Sequence, residues 1–404
     1  MTGKLSRGML ALALVTAAVC GDPVAPTLRP PTVKFCPTVV MPTWFAYQNE
    51  GQGWVQLPGG TSDFSFEPTA RLAVAYATTT PLGSAVTIVY VTAVELNDFQ
   101  CPFPRGNRQL AGSVKNWQTS DEFVAVAMGP NSRTAAPDNP DFNFSTLPDA
   151  PLDLVVEVAS TPRRIVIRRN VMANSGTTLP PLDISSSEVK PTSQFTAVLE
   201  PADAPRVTPS YYFLTANGTS FHFVDGTSSG AVNQSVPYAM TRRGDVHAVS
   251  FLSGVSPEPT RYVANYFREA TDRALALGPF LGQPSVSVVG SSQYLRLRMT
   301  LGSQTEYPSY VVARYAQSSL TAPNAYVNVL MSSGYLGETP GMWDVSIPDL
   351  AGVPGFDAKW MLKPGVATGW TVEASSGAPF WRSTRPQDGQ TVRAATRQST
   401  LALQ

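Results

Sequence analysis

The sequence predicts an all-β protein of about four tandem β-sandwich domains that follow an N-terminal export signal. Short alternating runs rich in Val, Thr, Tyr and Phe recur along the 404 residues, and each is bounded by Gly, Pro, Asn or Asp. The 36 prolines and 30 glycines are spread out, as turns between many short strands require. The first twenty residues combine a basic head with a short apolar run, which indicates export.

The export signal ends at a cysteine. Lys4 and Arg7 precede the apolar run 9–19, which is too short to span a membrane because a spanning helix needs roughly 20 apolar residues. Cys20 lies where bacterial lipoproteins carry an acylated cysteine, although Val19 is bulkier than the usual Gly or Ala. This resemblance implies lipid modification of Cys20 and a lipid bilayer as partner. The alternative is an ordinary cleaved signal.

The three cysteines also bear on disulfide bonding. Acylation of Cys20 leaves an even pair, Cys36 and Cys101, in an oxidising compartment. The two positions lie 65 residues apart (101 − 36). A disulfide closing a loop of this size contributes about 4 kcal/mol in the chain-entropy description. We therefore predict a disulfide between these two residues.

Composition restricts the classes of partner. The 29 basic and 29 acidic residues balance and form no long block, so nothing points to nucleic acid as a partner. A hydrophobic fraction of 43% is ample for packed cores. The chain has two histidines, His222 and His247, and neither has a cysteine or carboxylate at the spacing of a zinc site. We predict no metal site and no cofactor.

Six segments are predicted. They are a signal peptide (1–20), a Pro-rich tether (21–36), an N-terminal β domain (37–105), a prealbumin-like β-sandwich (106–190), a β-sandwich repeat (191–287) and a C-terminal β domain (288–404).

A weak internal repeat supports the middle boundaries. An apolar strand after an aspartate at 153–158 recurs at 245–250, an offset of 92 residues (245 − 153), and an Arg-flanked strand follows in both cases. A spacing of this size suits one sandwich per unit. The segment 261–277 also has apolar residues at helical spacing. The repeat favours two strands joined at 270–272, and an amphipathic helix is the alternative.

The segment 142–154 resembles a strand–turn–strand motif of carboxypeptidase-regulatory-like (prealbumin-like) β-sandwiches. A Phe-rich strand leads into Leu-Pro-Asp-Ala and a strand that contains Asp153-Leu154, with Ala150 where Gly is usual and Leu152 where an aromatic is common. The whole chain is similar to uncharacterised bacterial envelope lipoproteins built from such modules. The resemblance implies a seven-stranded spacer or recognition module and carries over no catalytic residue.

One motif could indicate a serine hydrolase. Residues 226–230 match G-x-S-x-G, with Ser228 as the nucleophile and His247 as the base. The motif requires a helix after the serine, whereas 231–237 has a β-like pattern and ends on a proline. A Gly/Ser-rich hairpin turn is therefore the favoured interpretation.

Three further groups have a functional and a structural interpretation. The oxygen-rich loop 138–143 could hold Ca²⁺, but interleaved prolines favour a plain turn. Four arginines between 163 and 169 could contact an anion or polysaccharide, but charges at strand ends also discourage edge pairing. Aromatic residues clustered towards the two termini could form a carbohydrate platform, although most rings in a strand-rich chain are core. They are Trp44, Tyr47, Trp54, Trp343, Trp360, Trp370 and Trp381.

The sequence thus predicts an extracytoplasmic envelope protein with a structural or interaction role and no catalytic site, and it does not identify the ligand. A polysaccharide or protein partner stays open. The alternatives are a carbohydrate-binding surface protein and a serine hydrolase using Ser228 and His247.

Overall fold

Strands make up nearly all of the regular structure in this computed structural model, so the predicted all-β class is confirmed. The structure describes residues 32–34, 42–58, 63–96, 108–129, 131–160, 163–174, 176–191, 193–200, 207–223, 231–236, 242–254, 257–318, 323–377 and 386–401. All of them belong to one unit, Pro31–Gln404. Within these ranges, no helix has the length and apolar character needed to cross a bilayer.

The first fifteen strands cover residues 32–191. They are β1 (Thr32–Lys34), β2 (Trp44–Asn49), β3 (Val55–Leu57), β4 (Asp63–Ser65), β5 (Arg71–Thr80), β6 (Gly83–Thr92), β7 (Arg108–Lys115), β8 (Phe123–Met128), β9 (Asn131–Ala135), β10 (Asp141–Leu147), β11 (Pro151–Ala159), β12 (Arg164–Met172), β13 (Thr177–Thr178), β14 (Leu182–Asp183) and β15 (Lys190–Pro191).

Fourteen more strands follow, and three short helical turns complete the regular structure of the described ranges. The strands are β16 (Ser193–Leu199), β17 (Val207–Leu214), β18 (Ser220–Phe223), β19 (Ala231–Val236), β20 (Val246–Ser253), β21 (Thr260–Phe267), β22 (Arg273–Leu275), β23 (Ser285–Gly290), β24 (Arg296–Gly302), β25 (Tyr310–Gln317), β26 (Asn324–Ser332), β27 (Met342–Ser346), β28 (Thr368–Ser375) and β29 (Thr391–Leu401). The helices are α1 (Ala93–Leu96), α2 (Ser333–Leu336) and a 3-10 turn at Ala358–Trp360.

A twelve-stranded sheet is the centre of the fold. Its strand order is β18-β17-β20-β21-β29-β28-β25-β26-β6-β5-β2-β3. Neighbours run antiparallel except β26 and β6, which run parallel. Strands from three predicted units (37–105, 191–287 and 288–404) share this ladder, so those units are joined by continuous hydrogen bonding. The division into about four domains stays a prediction.

A small sheet, β23-β24-β27, covers one face of the half of the central sheet that contains β25, β26 and β6. Alternation explains the packing, since Leu297 and Met299 of β24 point inward while Arg298 between them points to solvent. The inward residues meet Trp44 and Tyr315 of the central sheet in the largest apolar core.

Residues 108–191 form two sheets packed face to face. One contains β10 and β7 with the short β13 and β14, and the other has the order β15-β12-β11-β8-β9. Phe144 and Leu110 from the first sheet meet Val126 and Val156 from the second in a shared core. The predicted strand–turn–strand at 142–154 is confirmed as β10, a turn and β11, and it carries the chain from one sheet to the other.

Strand β11 is buried on both of its faces, which its nearly continuous apolar run explains. Val156 faces the sandwich core, whereas Val155 faces a second core together with Phe195 of β16 and Tyr211 of β17. The five-stranded sheet therefore lies between two apolar layers and packs against the β17–β20–β21 part of the central sheet.

The structure decides two local alternatives. Segment 261–277 contains β21 and β22 joined through 268–272, so the strand interpretation is confirmed and the helix alternative is wrong. Strand β1 lies inside the predicted tether (21–36) and pairs with β4, so at least these three residues belong to a sheet. Strands β2 and β3 pair antiparallel as a hairpin.

Candidate functional site

Several predicted site residues lie outside the described residues. These are the lipidation candidate Cys20, the disulfide candidates Cys36 and Cys101, the nucleophile candidate Ser228 and the aromatic Trp381. The structure therefore bears on His222, His247, the arginine group, the oxygen-rich loop and the other tryptophans.

His247 is completely buried in β20. Its Nδ1 lies 2.6 Å from the hydroxyl oxygen of Tyr211, and its ring centroid lies 5.0 Å from that of Phe213 and 5.3 Å from that of Phe267. Burial lowers the pKa of His247 to about 4, with a smaller opposing effect from Asp245. Burial also raises the pKa of Tyr211 well above its ordinary value. At neutral pH both groups are uncharged.

The other ring nitrogen of His247 has no hydrogen-bond partner among the described residues. A buried polar atom without a partner costs about 1–3 kcal/mol. Nδ1 is occupied by Tyr211, and aromatic rings surround the imidazole, so the arrangement leaves no exposed ring nitrogen for proton transfer. These contacts disfavour the hydrolase alternative, in which His247 would act as a solvent-accessible base.

The four arginines of β12 and its preceding turn each contact a carboxylate of this chain. Arg163 pairs with Glu157 at 3.0 Å, Arg164 with Asp121, and Arg168 with Glu188 at 3.0 Å. Arg169 is the most buried of the four and binds two aspartates. All four arginines therefore have a carboxylate partner within this chain.

Arg169 is the centre of a buried network that joins the sandwich to the central sheet. Its guanidinium donates to Asp153 Oδ2 at 2.8 Å and to both carboxylate oxygens of Asp245 at 3.0 and 2.6 Å. Asp153 is on β11, and Asp245 directly precedes β20. We call Arg169, Asp153, Asp245 and Asn217 the Arg169 cluster.

Backbone and amide donors satisfy the remaining lone pairs of the Arg169 cluster. Asp153 accepts from the Asn170 backbone at 3.1 Å and from the Asn217 side chain at 2.9 Å, and Asp245 accepts from the backbone N–H of Ala216 at 2.8 Å. Desolvation acts to raise the pKa of Asp153, but these hydrogen bonds and the charge of Arg169 together lower it below its ordinary value. Both partners of the ion pair are thus held charged.

The tryptophans mostly serve the core. Trp44 and Trp343 are each 1% exposed and Trp370 is 8% exposed. Trp54 and Trp360 are half-buried against the same core. Trp44, Trp343 and Trp370 are therefore too buried to contribute to an exposed carbohydrate platform.

The oxygen-rich loop forms a tight turn between β9 and β10. Ala136 and Asn139 exchange two backbone hydrogen bonds of 3.0 Å, and Asp141 and Asn143 belong to β10. Among the described residues, no group of three or more His, Cys, Asp or Glu side chains is arranged to hold a metal ion. Residues 137 and 138 thus form a turn closed by the Ala136–Asn139 bridge.

An accessible site that the sequence did not reveal lies on the face of the central sheet opposite Tyr211. Alternate residues of β17, β20, β21 and β29, together with Glu373 of β28, line a groove of about 280 Å³, which we call the tyrosine groove. Its lining residues are Thr208, Ser210, Tyr212, Ser250, Leu252, Thr260, Tyr262, Glu373, Ala394 and Thr396. His222 stacks on Tyr212 at the outer strand, with ring centroids 4.5 Å apart.

The groove is uncharged apart from one ion pair. Glu373 is bound to Arg314 at 2.8 Å, so its charge is compensated. Burial raises the pKa of Tyr262 to about 12, against a smaller opposing effect of its hydrogen bond with Ser250. The Tyr262 hydroxyl therefore stays protonated at neutral pH. The site can donate and accept hydrogen bonds but holds no nucleophile activated by a base.

Known proteins give no direct guide to this site. No protein-family model matches the chain, and a search of curated proteins finds no match.

Proposed function

We propose that this chain is an exported, lipid-anchored envelope protein with a non-catalytic interaction role. One contrast carries the proposal. Among the described residues, His247 and Arg169 are buried in internal contacts, whereas the accessible tyrosine groove offers uncharged hydroxyl groups and aromatic rings. Such a surface suits recognition, since ligand sites combine apolar walls with a few placed polar groups.

The export and anchoring part of the proposal rests on the sequence at 1–20 and on the resemblance to lipoproteins. Acylation of Cys20 would hold the protein at a bilayer surface. The pair Cys36 and Cys101 would then form a disulfide in the N-terminal β domain.

Metabolic labelling with an alkyne-tagged palmitate in a bacterial host tests the anchor. The wild-type chain and the control Cys36→Ser should both take up the label and sediment with membranes, while Cys20→Ser should lose the label. A labelled Cys20→Ser, or an unlabelled wild-type chain with a trimmed N-terminus, would replace the lipoprotein by an ordinary secreted protein.

A fluorophosphonate probe tests the absence of serine hydrolase chemistry. The purified wild-type chain should react no more than Ser228→Ala, because the described contacts of His247 provide no accessible base. Labelling of the wild-type chain that disappears in Ser228→Ala would overturn the non-catalytic role.

A further inference from the structure

We propose that the tyrosine groove binds a neutral saccharide, an inference that rests on the interaction role proposed above and names its ligand class. Most of the lining residues carry a hydroxyl group, although most of the exposed lining surface is apolar. Seven of the ten lining residues are Ser, Thr or Tyr, and two more, Leu252 and Ala394, are apolar. A hydroxyl group both donates and accepts, so such a surface complements a ligand that is itself rich in hydroxyl groups.

The charge of the groove selects against ionic ligands. Glu373 is 8% exposed and paired with Arg314, and no other lining residue carries a formal charge. An anionic glycan or a phosphate would meet the only carboxylate and no unpaired cation in the lining. A cationic ligand would have to displace Arg314 from its 2.8 Å contact. Charge complementarity therefore favours an uncharged ligand.

Besides hydrogen-bonding groups, saccharide recognition uses apolar ring faces, and the groove contains two tyrosine rings. Tyr212 and Tyr262 are half-buried, and His222 stacks on one ring face of Tyr212. Leu252 of β20, the strand that separates β17 from β21, is 40% exposed. Leu252 lies directly opposite Tyr262 across the β20–β21 pair and opposite Thr208 across the β17–β20 pair. Aromatic rings with a polar hydroxyl tip can contact the C–H face of a pyranose and bond to its edge.

The groove is already in a fixed shape. Its walls belong to paired strands of the central sheet, and its own hydroxyls are ordered by short contacts such as Thr260 Oγ1 to Thr396 Oγ1 at 2.6 Å. Binding to a site on rigid strands costs little ordering entropy. A volume of about 280 Å³ is near the small end for ligand sites, which run from roughly 300 to 1,000 Å³. The groove therefore fits a short stretch of a saccharide chain.

A direct binding measurement tests the inference. The purified full chain is titrated calorimetrically with neutral hexasaccharides of glucose, xylose and N-acetylglucosamine, and with an oligogalacturonate as the anionic comparison. We expect at least one neutral hexasaccharide to bind and the oligogalacturonate to bind more weakly. Tyr212→Ala and Leu252→Ala should each weaken that binding about tenfold or more, which corresponds to roughly 1.4 kcal/mol.

A matched control separates the groove from the rest of the sheet. Tyr326 is also 40% exposed and lies on β26, away from the groove lining. Tyr326→Ala should bind as the wild-type chain does, and all variants should retain the wild-type far-ultraviolet dichroism. Tyr262→Phe keeps the ring and removes the hydroxyl, so it should bind more weakly than the wild-type chain and more tightly than Tyr212→Ala.

Four outcomes would overturn the inference. These are no binding of any neutral hexasaccharide at millimolar concentration, tighter binding of the oligogalacturonate, equal loss in Tyr326→Ala, and self-association that Tyr212→Ala abolishes, which would make the groove a contact between copies. The palmitate experiment is independent of all four. A labelled wild-type chain without saccharide binding removes only this inference, whereas an unlabelled chain that binds saccharide removes only the anchor.

Discussion

Two buried polar centres, the Arg169 cluster and the Tyr211–His247 pair, are stabilised in opposite ways. They are neighbours in the sequence, since Asp245 of the first and His247 of the second are two residues apart. The Arg169 cluster keeps three charges in the interior and satisfies them with hydrogen bonds from the backbone and from Asn217. The Tyr211–His247 pair keeps no charge and leaves one ring nitrogen without a partner among the described residues. The comparison shows two ways in which this protein buries ionisable side chains: either every charged group is paired, or the groups stay uncharged.

Position explains the difference. The Arg169 cluster lies where β11, β12 and the β17–β18 turn meet, and several backbone N–H groups there point at the carboxylates. The Tyr211–His247 pair lies inside an apolar layer among Phe195, Phe213 and Phe267, where no backbone donor is free because the strands use them in the ladder. Buried side chains therefore stay charged where backbone N–H groups are available to bond to them.

The largest expected effect comes from removing one carboxylate of the Arg169 cluster. Asp245→Ala leaves the buried guanidinium of Arg169 short of a partner and should lower the free energy of unfolding by about 3–5 kcal/mol. Urea denaturation followed by tryptophan fluorescence measures it. Asp344→Ala, which breaks an exposed pair with Arg298, is the control and should unfold close to the wild-type urea concentration. A similar small change in both variants would show that the Arg169 cluster is hydrated.

We expect low pH to destabilise the folded chain through the buried His247. Its pKa is about 4 in the folded chain against an ordinary value of 6.5, so the unfolded chain binds more protons between these values. Stability is therefore complete above pH 6.5 and falls as the pH drops towards 4, by about 3 kcal/mol in total.

The pH effect of His247 is isolated by comparing the wild-type chain with His247→Phe. Asp153 has a lowered pKa and loses its contribution only below its ordinary value of 3.8, and Glu157 has a raised pKa that acts in the opposite direction above 4.5. Both are present in the two chains and cancel in the difference. Parallel stability curves between pH 4 and 6.5 would contradict a neutral, buried His247.

The neutral centre should tolerate apolar replacement of both partners. Tyr211→Phe removes the hydroxyl that contacts Nδ1 and should destabilise the chain by about 1–3 kcal/mol, because both ring nitrogens of His247 are then unpaired. The double variant Tyr211→Phe, His247→Phe should recover most of that loss, since it buries no unpaired imidazole. Melting temperatures of the single and double variants give the answer, and strictly additive losses would argue against it.

Local periodicity is what the sequence could reveal. Strands β11 and β12 follow directly from their apolar runs and turn residues, and so does the hairpin β2–β3. Segment 261–277 is instructive because Val263 and Phe267 are four residues apart. That spacing is even as well as close to one helical turn, so it places both residues on one face of either structure, and pairing with β20 and β29 decides for the strand.

Long-range pairing is what the sequence could not reveal. Asn328 and Thr87 are partners in the parallel β26–β6 ladder although 241 positions separate them, and Arg169 meets Asp245 across 76 positions. The sequence did not reveal the tyrosine groove for the same reason, since its residues are unremarkable within each strand and form a site only when five strands align. The repeat did place Asp153 and Asp245 at equivalent positions, but nothing local indicated that one arginine binds both.

The smallest expected effect sharpens the comparison within a single strand. Arg168 is the chain neighbour of Arg169 but points to the opposite face of β12, where it forms a two-point pair with Glu188 at 3.0 and 3.1 Å while remaining partly exposed. Arg168→Met should cost only about 0.2–1 kcal/mol, because water can replace the lost partner of Glu188. Urea denaturation beside Asp245→Ala measures the ratio. A loss in Arg168→Met as large as that in Asp245→Ala would mean that the exposed face of β12 stabilises the fold as much as its buried junction does, and the distinction between the two faces would then have to be abandoned.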